Sequence, residues 1–165
     1  MMLNLGSGQR PFSKPWINVD IQDTHKPDIV SDISRMPMFE DNSAELIVLH
    51  HVLEHFGCGE ADSVLHESWR ILAKGGSLLI FVPEIRLIAQ RWICHEIEDF
   101  TFMVNTYGAY QGNEADRHKW GYDTNSLKKY IKSVLEVNAK LFDWRTIEGA
   151  DIARDWWILG MEVIK

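Results

Sequence analysis

The stretch Leu3-Asn4-Leu5-Gly6-Ser7-Gly8 joins a short apolar segment directly to a loop that contains two glycines. Glycine has no Cβ, so after a buried strand it lets the backbone turn sharply and approach a ligand closely. A Gly-Ser-Gly string is also a common turn at a protein surface. This stretch alone therefore fits a nucleotide-type loop and a solvent turn equally well.

Two acidic residues follow the next two apolar segments. Asp20 lies near the end of segment 16–21, and Asp32 follows segment 28–30. Doubly wound folds place an acid at the end of the second strand, where it accepts hydrogen bonds from ribose hydroxyls. We therefore predict that Asp20 binds a ribose, that Asp32 accepts from an adenine amine, and that Ile33 packs on the ring. A strand-end turn for Asp20 and a helix N-cap for Asp32 are the alternatives.

The connection between the first two predicted strands is too short for a phosphate-binding helix. A dinucleotide site uses a third glycine, which lets a helix begin beside the pyrophosphate. Here the loop continues as Gln9-Arg10-Pro11, and the crossover is close to the shortest parallel crossover of about a dozen residues. This favours a nucleoside ligand without phosphates over NAD.

The remaining segments alternate between strand and helix, which is typical of an α/β fold with a parallel sheet. The run 46–49 is apolar at every position, as expected of a central strand covered on both faces. The other predicted elements are helix 60–73, strand 77–82, helix 84–98 with Ile85, Ile88, Trp92 and Ile93 inward, a long functional loop at 99–122, a helix capped by Thr124 or Asn125, and an antiparallel edge pair formed by segments 140–147 and 155–164.

Length and charge limit the classes of function. The 165 residues suit one domain, 1–165, and the formal net charge of −7 argues against nucleic acid or an anionic membrane as the main partner. The apolar run 78–82 is too short to span a bilayer, and no export signal is evident, so we expect a cytoplasmic protein. Cys58 and Cys94 form no CxxC pair and are expected to be reduced, and either buried or inert.

The motifs together resemble those of class I S-adenosylmethionine-dependent methyltransferases, particularly small members with a shortened first crossover. The similar stretches are LNLGSG, INVDI, VSDI, DNSAELIVLHHVLEHF, LHESWRILAKGGSLLIFVPE and HKWGYDTNSLKKYI. The resemblance implies a Rossmann-like doubly wound sheet of seven strands in the order 3-2-1-4-5-7-6, and S-adenosyl-L-methionine as cofactor. The cofactor-binding residues that it implies are Asn4, Gly6, Ser7, Gly8, Asp20, Ile21, Asp32, Ile33, Leu49 and His50. Asn4 departs from the family pattern, in which many members carry an acid.

His51-Val52-Leu53-Glu54-His55 contains an HxxEH string, which in a zinc peptidase would lie on one helical face. The string is expected in a turn after a buried strand instead of a helix, and the chain is short for such a peptidase. Both points argue against a peptidase. We expect Glu54 and His55 to support the loop while His50 and His51 border the methionine end of the cofactor, with no metal. The alternative is a divalent ion, because some quinone-type methyltransferases that resemble this chain bind one in this turn.

Histidine titrates near neutral pH and is therefore a suitable general base for a hydroxyl acceptor. The catalytic candidates are His51 and His118, with Asp116, Tyr107 and Tyr110 as weaker candidates for substrate contact. The leading hypothesis is a methyltransferase for a small-molecule or glycan-like acceptor. The alternatives are a non-catalytic cofactor-binding subunit that needs a partner, with a homodimer also open, and a nucleotide-dependent oxidoreductase.

Overall fold

The fold is a single seven-stranded sheet, in a computed structural model that describes residues 1–109, 114–143, 146–152 and 154–165. The strand order is β3-β2-β1-β4-β5-β7-β6, so the predicted order and fold class are confirmed. The strands are β1 (Met2–Leu5), β2 (Ile17–Asp20), β3 (Ile29–Val30), β4 (Ala44–His50), β5 (Leu72–Pro83), β6 (Lys140–Leu141) and β7 (Ile158–Ile164).

The first five strands pair in parallel, and β7 runs antiparallel to both β5 and β6. The predicted antiparallel direction is therefore confirmed, but the edge position holds only for β6, because β7 lies between two neighbours. In the described part of segment 140–147, only Lys140–Leu141 is strand.

The helices are α1 (Asp62–Ile71), α2 (Ile85–Ile93), α3 (Asp99–Tyr107) and α4 (Thr124–Leu135). The prediction of one long loop at 99–122 is wrong, because α3 occupies its first half. The cap of α4 is Asp123 rather than Thr124 or Asn125, and it forms a capping box with Ser126. Among the described residues, no helix is long and apolar enough to cross a membrane.

Helix α2 is less buried than its sequence pattern predicts. Ile88 is buried, whereas Trp92 and Ile93 are exposed. The reason is that the end of α2 packs on α3, where the Trp92 and Phe102 rings stack with centroids 4.3 Å apart, instead of continuing along the sheet. Cys58 and Cys94 are free, and both are exposed, so of the two expected alternatives burial does not apply.

The two faces of the sheet have separate hydrophobic cores, because successive side chains of a strand point to opposite faces. Ile47 and Leu49 of β4 belong to the core beneath α1 and α4, and Val48 belongs to the core on the other face. The expected burial of this strand on both faces is confirmed.

No helix lies in the first crossover, residues 6–16, all of which the structure describes. Phe12 and Trp16 instead place their rings on the sheet, with centroids 5.0 Å apart. The indole N–H of Trp16 donates to the Glu148 carbonyl (2.8 Å), and the Ser13 amide donates to the Gly149 carbonyl (2.9 Å). Irregular chain thus replaces helices on this face and leaves the end of β1 open.

Candidate functional site

A cavity of about 340 Å³ lies at the carboxyl ends of β1, β2, β3 and β4. This is the edge of a doubly wound sheet at which ligands bind, and the volume is within the range of small-ligand sites, about 300 to 1,000 Å³. The lining residues are Gly6, Gly8, Asp20, Ile21, Gln22, His25, Ser31, Asp32, Ile33, His51, Val52, His55, Phe56, Ala115, Asp116 and Lys119.

The loop after β1 is shaped by close backbone contacts. Gly6 has φ +71°, and a Cβ there would lie 2.7 Å from Val52 Cγ2, so both conformation and space require glycine. The Gly6 and Ser7 amides donate to the Val19 carbonyl at 2.8 and 3.1 Å. These bonds hold the loop against the end of β2.

Asp20 connects this loop to the loop after β2. Its Oδ2 accepts from the Gly8 amide (2.7 Å), while Oδ1 accepts from the Gln22 amide (2.8 Å) and contacts Nδ1 of His25 (3.3 Å). A carboxylate has about four acceptor positions, so one remains here, and a second becomes available when the long His25 contact is replaced.

The rest of the cavity lining contains both apolar and polar side chains. Ile33 is buried and Ile21 exposed, while the Asp32 carboxylate accepts from the Ser34 amide (2.8 Å) and retains further acceptor capacity. In the described part of the chain the buried Ser7 Oγ has no hydrogen-bond partner. Ser7 lies between Gly6 and Gly8, which line the cavity, so a ligand that reaches this loop would supply the missing partner.

The turn after β4 places an imidazole beside a buried carboxylate. His51 has φ +57°, and its Nδ1 lies 3.0 Å from Glu54 Oε1. Burial raises the pKa of the Glu54 carboxyl, but the hydrogen bond and the charge of nearby histidines outweigh it, so this pKa lies below its ordinary value. Because an ionised carboxylate only accepts, His51 Nδ1 is the donor and Nε2 is the free ring nitrogen of the neutral side chain.

A distant segment is fixed to the same turn. The Glu54 carbonyl accepts from the amides of Lys119 (2.7 Å) and Trp120 (3.1 Å), which places His118 beside His55 with ring centroids 4.9 Å apart. Burial lowers the pKa of His118, although the neighbouring Glu54 acts in the opposite direction. His118 is therefore held as a neutral imidazole.

Comparison with known proteins finds a partial family match and structures of the same architecture. Residues 12–80 match the model of a family described as a methyltransferase domain. A methyltransferase structure from Archaeoglobus fulgidus superposes with a TM-score of 0.61 at 15% identity, over 99% of this chain and 85% of the other. A methyltransferase structure from Methanosarcina mazei superposes with a TM-score of 0.57 at 15% identity, over 99% of this chain and 90% of the other. The chain therefore shares its fold with these methyltransferase structures.

The predicted resemblance to this family is thereby confirmed, and S-adenosylmethionine is the cofactor that it implies. A further similar methyltransferase structure was solved in complex with a methyltransferase activator of Haloferax volcanii, with a TM-score of 0.54 at 14% identity, over 99% of this chain and 81% of the other. No curated protein matches the sequence.

Within this methyltransferase fold, several predicted cofactor residues line the cavity: Gly6, Gly8, Asp20, Ile21, Asp32 and Ile33, joined by the catalytic candidate His51. The others do not line it. Asn4 is buried and donates to Asn18 Oδ1 (2.9 Å), Leu49 lies in the core, and the ring of His50 packs on Phe81. Ser7 and His118 lie in adjacent segments.

The lining also contains residues that the sequence reasoning did not assign to the cofactor site. His25, Lys119 and Phe56 are among them. The position of His25 just after a strand-end acid was a usable signal, whereas Lys119 comes from a segment with no recognisable motif. Of the weaker candidates, Asp116 lines the cavity, Tyr107 is exposed, and Tyr110 lies outside the described residues.

The residues of the cavity fit S-adenosylmethionine. Asp20 offers a hydrogen-bond acceptor at the place expected for a ribose, Ile33 and Val52 offer apolar contact for a ring, and the orphaned Ser7 Oγ lies in the adjacent loop. The absence of a helix from residues 6–16 agrees with a ligand that has no pyrophosphate.

Proposed function

We propose that this chain is an S-adenosylmethionine-dependent methyltransferase that acts on a small-molecule acceptor, glycan-like acceptors included. The observation that carries the proposal is the cavity at the carboxyl ends of β1 to β4, where Gly6 and Asp20 meet. Its volume of about 340 Å³ suits a nucleoside-sized ligand. The net charge of −7 disfavours a nucleic-acid acceptor.

The cofactor, when bound, supplies a methyl group on a sulfonium that is already activated for displacement. The protein then has to align the acceptor and exclude water, and positioning of this kind contributes roughly 7 to 11 kcal/mol to a barrier. Ala115, Asp116 and Lys119 also line the cavity, and they come from a segment far from Asp20 in the sequence. We assign contact with the acceptor to this segment.

His51 is the general base that the site favours for a hydroxyl acceptor. Its Nδ1 donates to Glu54, so Nε2 is the nitrogen that takes a proton, and the residue lines the cavity. With the cofactor bound, its sulfonium would supply the methyl group to the acceptor oxygen and would leave as a neutral thioether, while His51 Nε2 would take the proton of the acceptor hydroxyl. Glu54 is a positioning residue, because it fixes the tautomer of His51.

Isothermal calorimetry with S-adenosylmethionine, S-adenosylhomocysteine and NAD tests the proposal. We expect the first two to bind and NAD not to bind. Binding of NAD alone would overturn the assignment and favour an oxidoreductase. Incubation of cell extract fractions with methyl-labelled cofactor, followed by mass spectrometry, then identifies the acceptor.

A cofactor-binding subunit that needs a partner is the second candidate. The similar methyltransferase solved with its activator favours it, and so do exposed apolar side chains on α2 and α3, namely Ile93, Phe100 and Met103. Its signature would be S-adenosylhomocysteine binding without methyl transfer to any fraction, with transfer restored by a second protein.

A further inference from the structure

Glu54, His55 and His118 form a cluster of side chains that does not include His51, the proposed general base. One ligand-type atom from each residue lies within 4.8 Å of the other two. The carboxylate is buried and both imidazoles are partly buried. Glu54 and His55 share the turn after β4, whereas His118 comes from the segment before α4.

In each imidazole, Nδ1 contacts a backbone carbonyl. Nδ1 of His55 lies 3.1 Å from the Arg117 carbonyl, and Nδ1 of His118 lies 3.1 Å from the Asn105 carbonyl. A carbonyl oxygen only accepts, so each Nδ1 carries the proton and each Nε2 presents a lone pair. Metal-binding histidines characteristically donate their other N–H to a backbone carbonyl in this way.

The carboxylate also has an unused oxygen. Glu54 Oε1 accepts from His51, but in the described part of the chain the buried Oε2 has no hydrogen-bond partner. A buried carboxylate oxygen without a partner is costly, and native proteins satisfy such groups. A cation at this position would remove that cost.

The third residue is held in place by backbone contacts. The Glu54 carbonyl binds the amides of Lys119 and Trp120, and the His118 amide donates to the Tyr107 carbonyl (3.1 Å). Gly108 has φ +84°, and a Cβ there would lie 2.2 Å from the Asp116 carbonyl oxygen and 3.2 Å from His118 Cδ2. The segment therefore packs against a glycine that leaves room for the imidazole.

We propose that Glu54, His55 and His118 bind a divalent transition-metal ion of the zinc type through Glu54 Oε2 and the two Nε2 atoms. Two imidazoles and one carboxylate are a ligand set that catalytic zinc uses, with a fourth position open. Ligand atoms bonded at about 2.1 Å lie roughly 3.4 Å apart in a tetrahedron. One ligand-type atom of each residue already lies within 4.8 Å of the other two, which is close to this spacing. This ligand set differs from a metal site formed only by the turn after β4, because it requires His118.

One consequence rests on the proposed function. His55 lines the cavity, so the open coordination position lies on the side of the acceptor. A metal ion at this point favours deprotonation of a bound hydroxyl. The inferred acceptor class is therefore an oxygen nucleophile, and His118 is a ligand instead of a second base.

Titration of chelator-treated, full-length protein with Co²⁺, followed by its visible absorption and by competition with Zn²⁺, tests the site without any cofactor. We expect His55→Ala and His118→Ala to weaken Co²⁺ binding more than about 100-fold, since loss of even an outer hydrogen-bond partner costs 10- to 100-fold. His66→Ala is the matched control, because His66 is exposed on α1. Co²⁺ affinity in His118→Ala equal to that of the unmodified protein would overturn the proposal, as would an equal loss in His66→Ala.

Two further variants separate ligation from folding. Glu54→Gln is expected to abolish Co²⁺ binding, and Gly108→Ala to weaken it while leaving every ligand present. Calorimetry with S-adenosylhomocysteine is run on the same samples. If the protein binds S-adenosylhomocysteine but not Co²⁺, the proposed metal site is wrong and the proposed function stands. If it binds Co²⁺ but not S-adenosylhomocysteine, the proposed methyl transfer is wrong and the metal site stands.

Discussion

Asp20 is the residue on which cofactor affinity is expected to depend most. Asp20→Ala removes a charged acceptor from the predicted ribose position and also releases the Gly8 amide. A hydrogen bond to a charged group contributes about 1.5 to 3 kcal/mol, so we expect a loss of roughly 10- to 150-fold in S-adenosylhomocysteine affinity by calorimetry.

Asp23→Ala is the control for this change, because Asp23 is an exposed acid outside the cavity lining. It is expected to bind the cofactor product as the unmodified chain does. Unchanged affinity in Asp20→Ala would remove Asp20 from the site.

His50 links stability to pH. Burial, assisted by the neighbouring charge of His51, lowers its pKa from 6.5 to about 3. The unfolded chain therefore binds the proton more readily, so the stability contributed by neutral His50 is complete above about pH 6.5 and is lost progressively as pH falls toward 3. We expect unfolding free energy to fall with a slope of up to about 1.4 kcal/mol per pH unit from this residue.

His50→Phe keeps a ring in the contact with Phe81 and removes the titration. Urea unfolding at pH 7 and pH 5 should show a shallower decline for this variant than for the unmodified chain. Parallel declines would contradict the burial of a neutral imidazole.

At this scale, the parts of the site that are local in sequence could be predicted. Gly6, Asp20 and Asp32 were identified because each lies at or just after the end of its strand. The contact of the Glu54 turn with His118 was not, because it joins residues far apart in the chain: the His55 bond to Arg117 spans 62 positions. No local pattern encodes such a contact.

At the scale of the elements, the side chain of Glu84 binds backbone amides at the starts of both α2 and α4. Glu84 accepts from the Leu87 amide (3.1 Å) at the start of α2 and from the Thr124 amide (3.3 Å) at the start of α4. Helix caps contribute about 0.5 to 2 kcal/mol each, so Glu84→Ala is expected to lower the free energy of unfolding by about 1 to 3 kcal/mol in urea, at constant m.

Glu98→Ala provides the comparison. Glu98 is the N-cap of α3 but makes no cap hydrogen bond through its side chain. Its replacement should change stability by less than about 0.5 kcal/mol. Equal losses in the two variants would show that Glu84 does not act through its caps.

The elements differ in how far their sequences determined them. Helices α1 and α4 have an apolar stripe on the core, and both were predicted within a few residues. Helix α3 was missed because none of its residues is buried and its aromatics follow no helical period. Packing against α2 stabilises it, and that information lies outside its own sequence.

At the level of the whole molecule, irregular chain covers one face of the sheet. Trp16 belongs to the hydrophobic core beneath this cover. The side chain is fully buried and donates to the Glu148 carbonyl. Trp16→Ala is expected to cost about 3 to 5 kcal/mol of unfolding free energy, the usual range for a buried large aromatic.

Trp16→Phe loses the indole N–H but keeps most of the apolar volume, and it should cost clearly less, about 1 to 2 kcal/mol. Denaturant unfolding of both variants measures the difference. A cost below about 1 kcal/mol for Trp16→Ala would mean that this cover contributes little to stability.

The strand order was implied by the resemblance to a known methyltransferase architecture, and the structure confirms it. The short first crossover was evident from its length. The cover of residues 146–152 over Ser13 and Trp16 was not evident, since it is stabilised by backbone carbonyls of Glu148 and Gly149. Backbone acceptors have no sequence signature.

The carbonyl of Glu54, which accepts from two amides, joins parts of the site that are far apart in the chain. Lys119 and Trp120 reach it only when the sheet edge and the segment before α4 have come together. Their amide protons should then exchange with solvent by opening of this one junction, ahead of global unfolding. The exchange rate of these two protons would thus measure how often the site comes apart in the native protein.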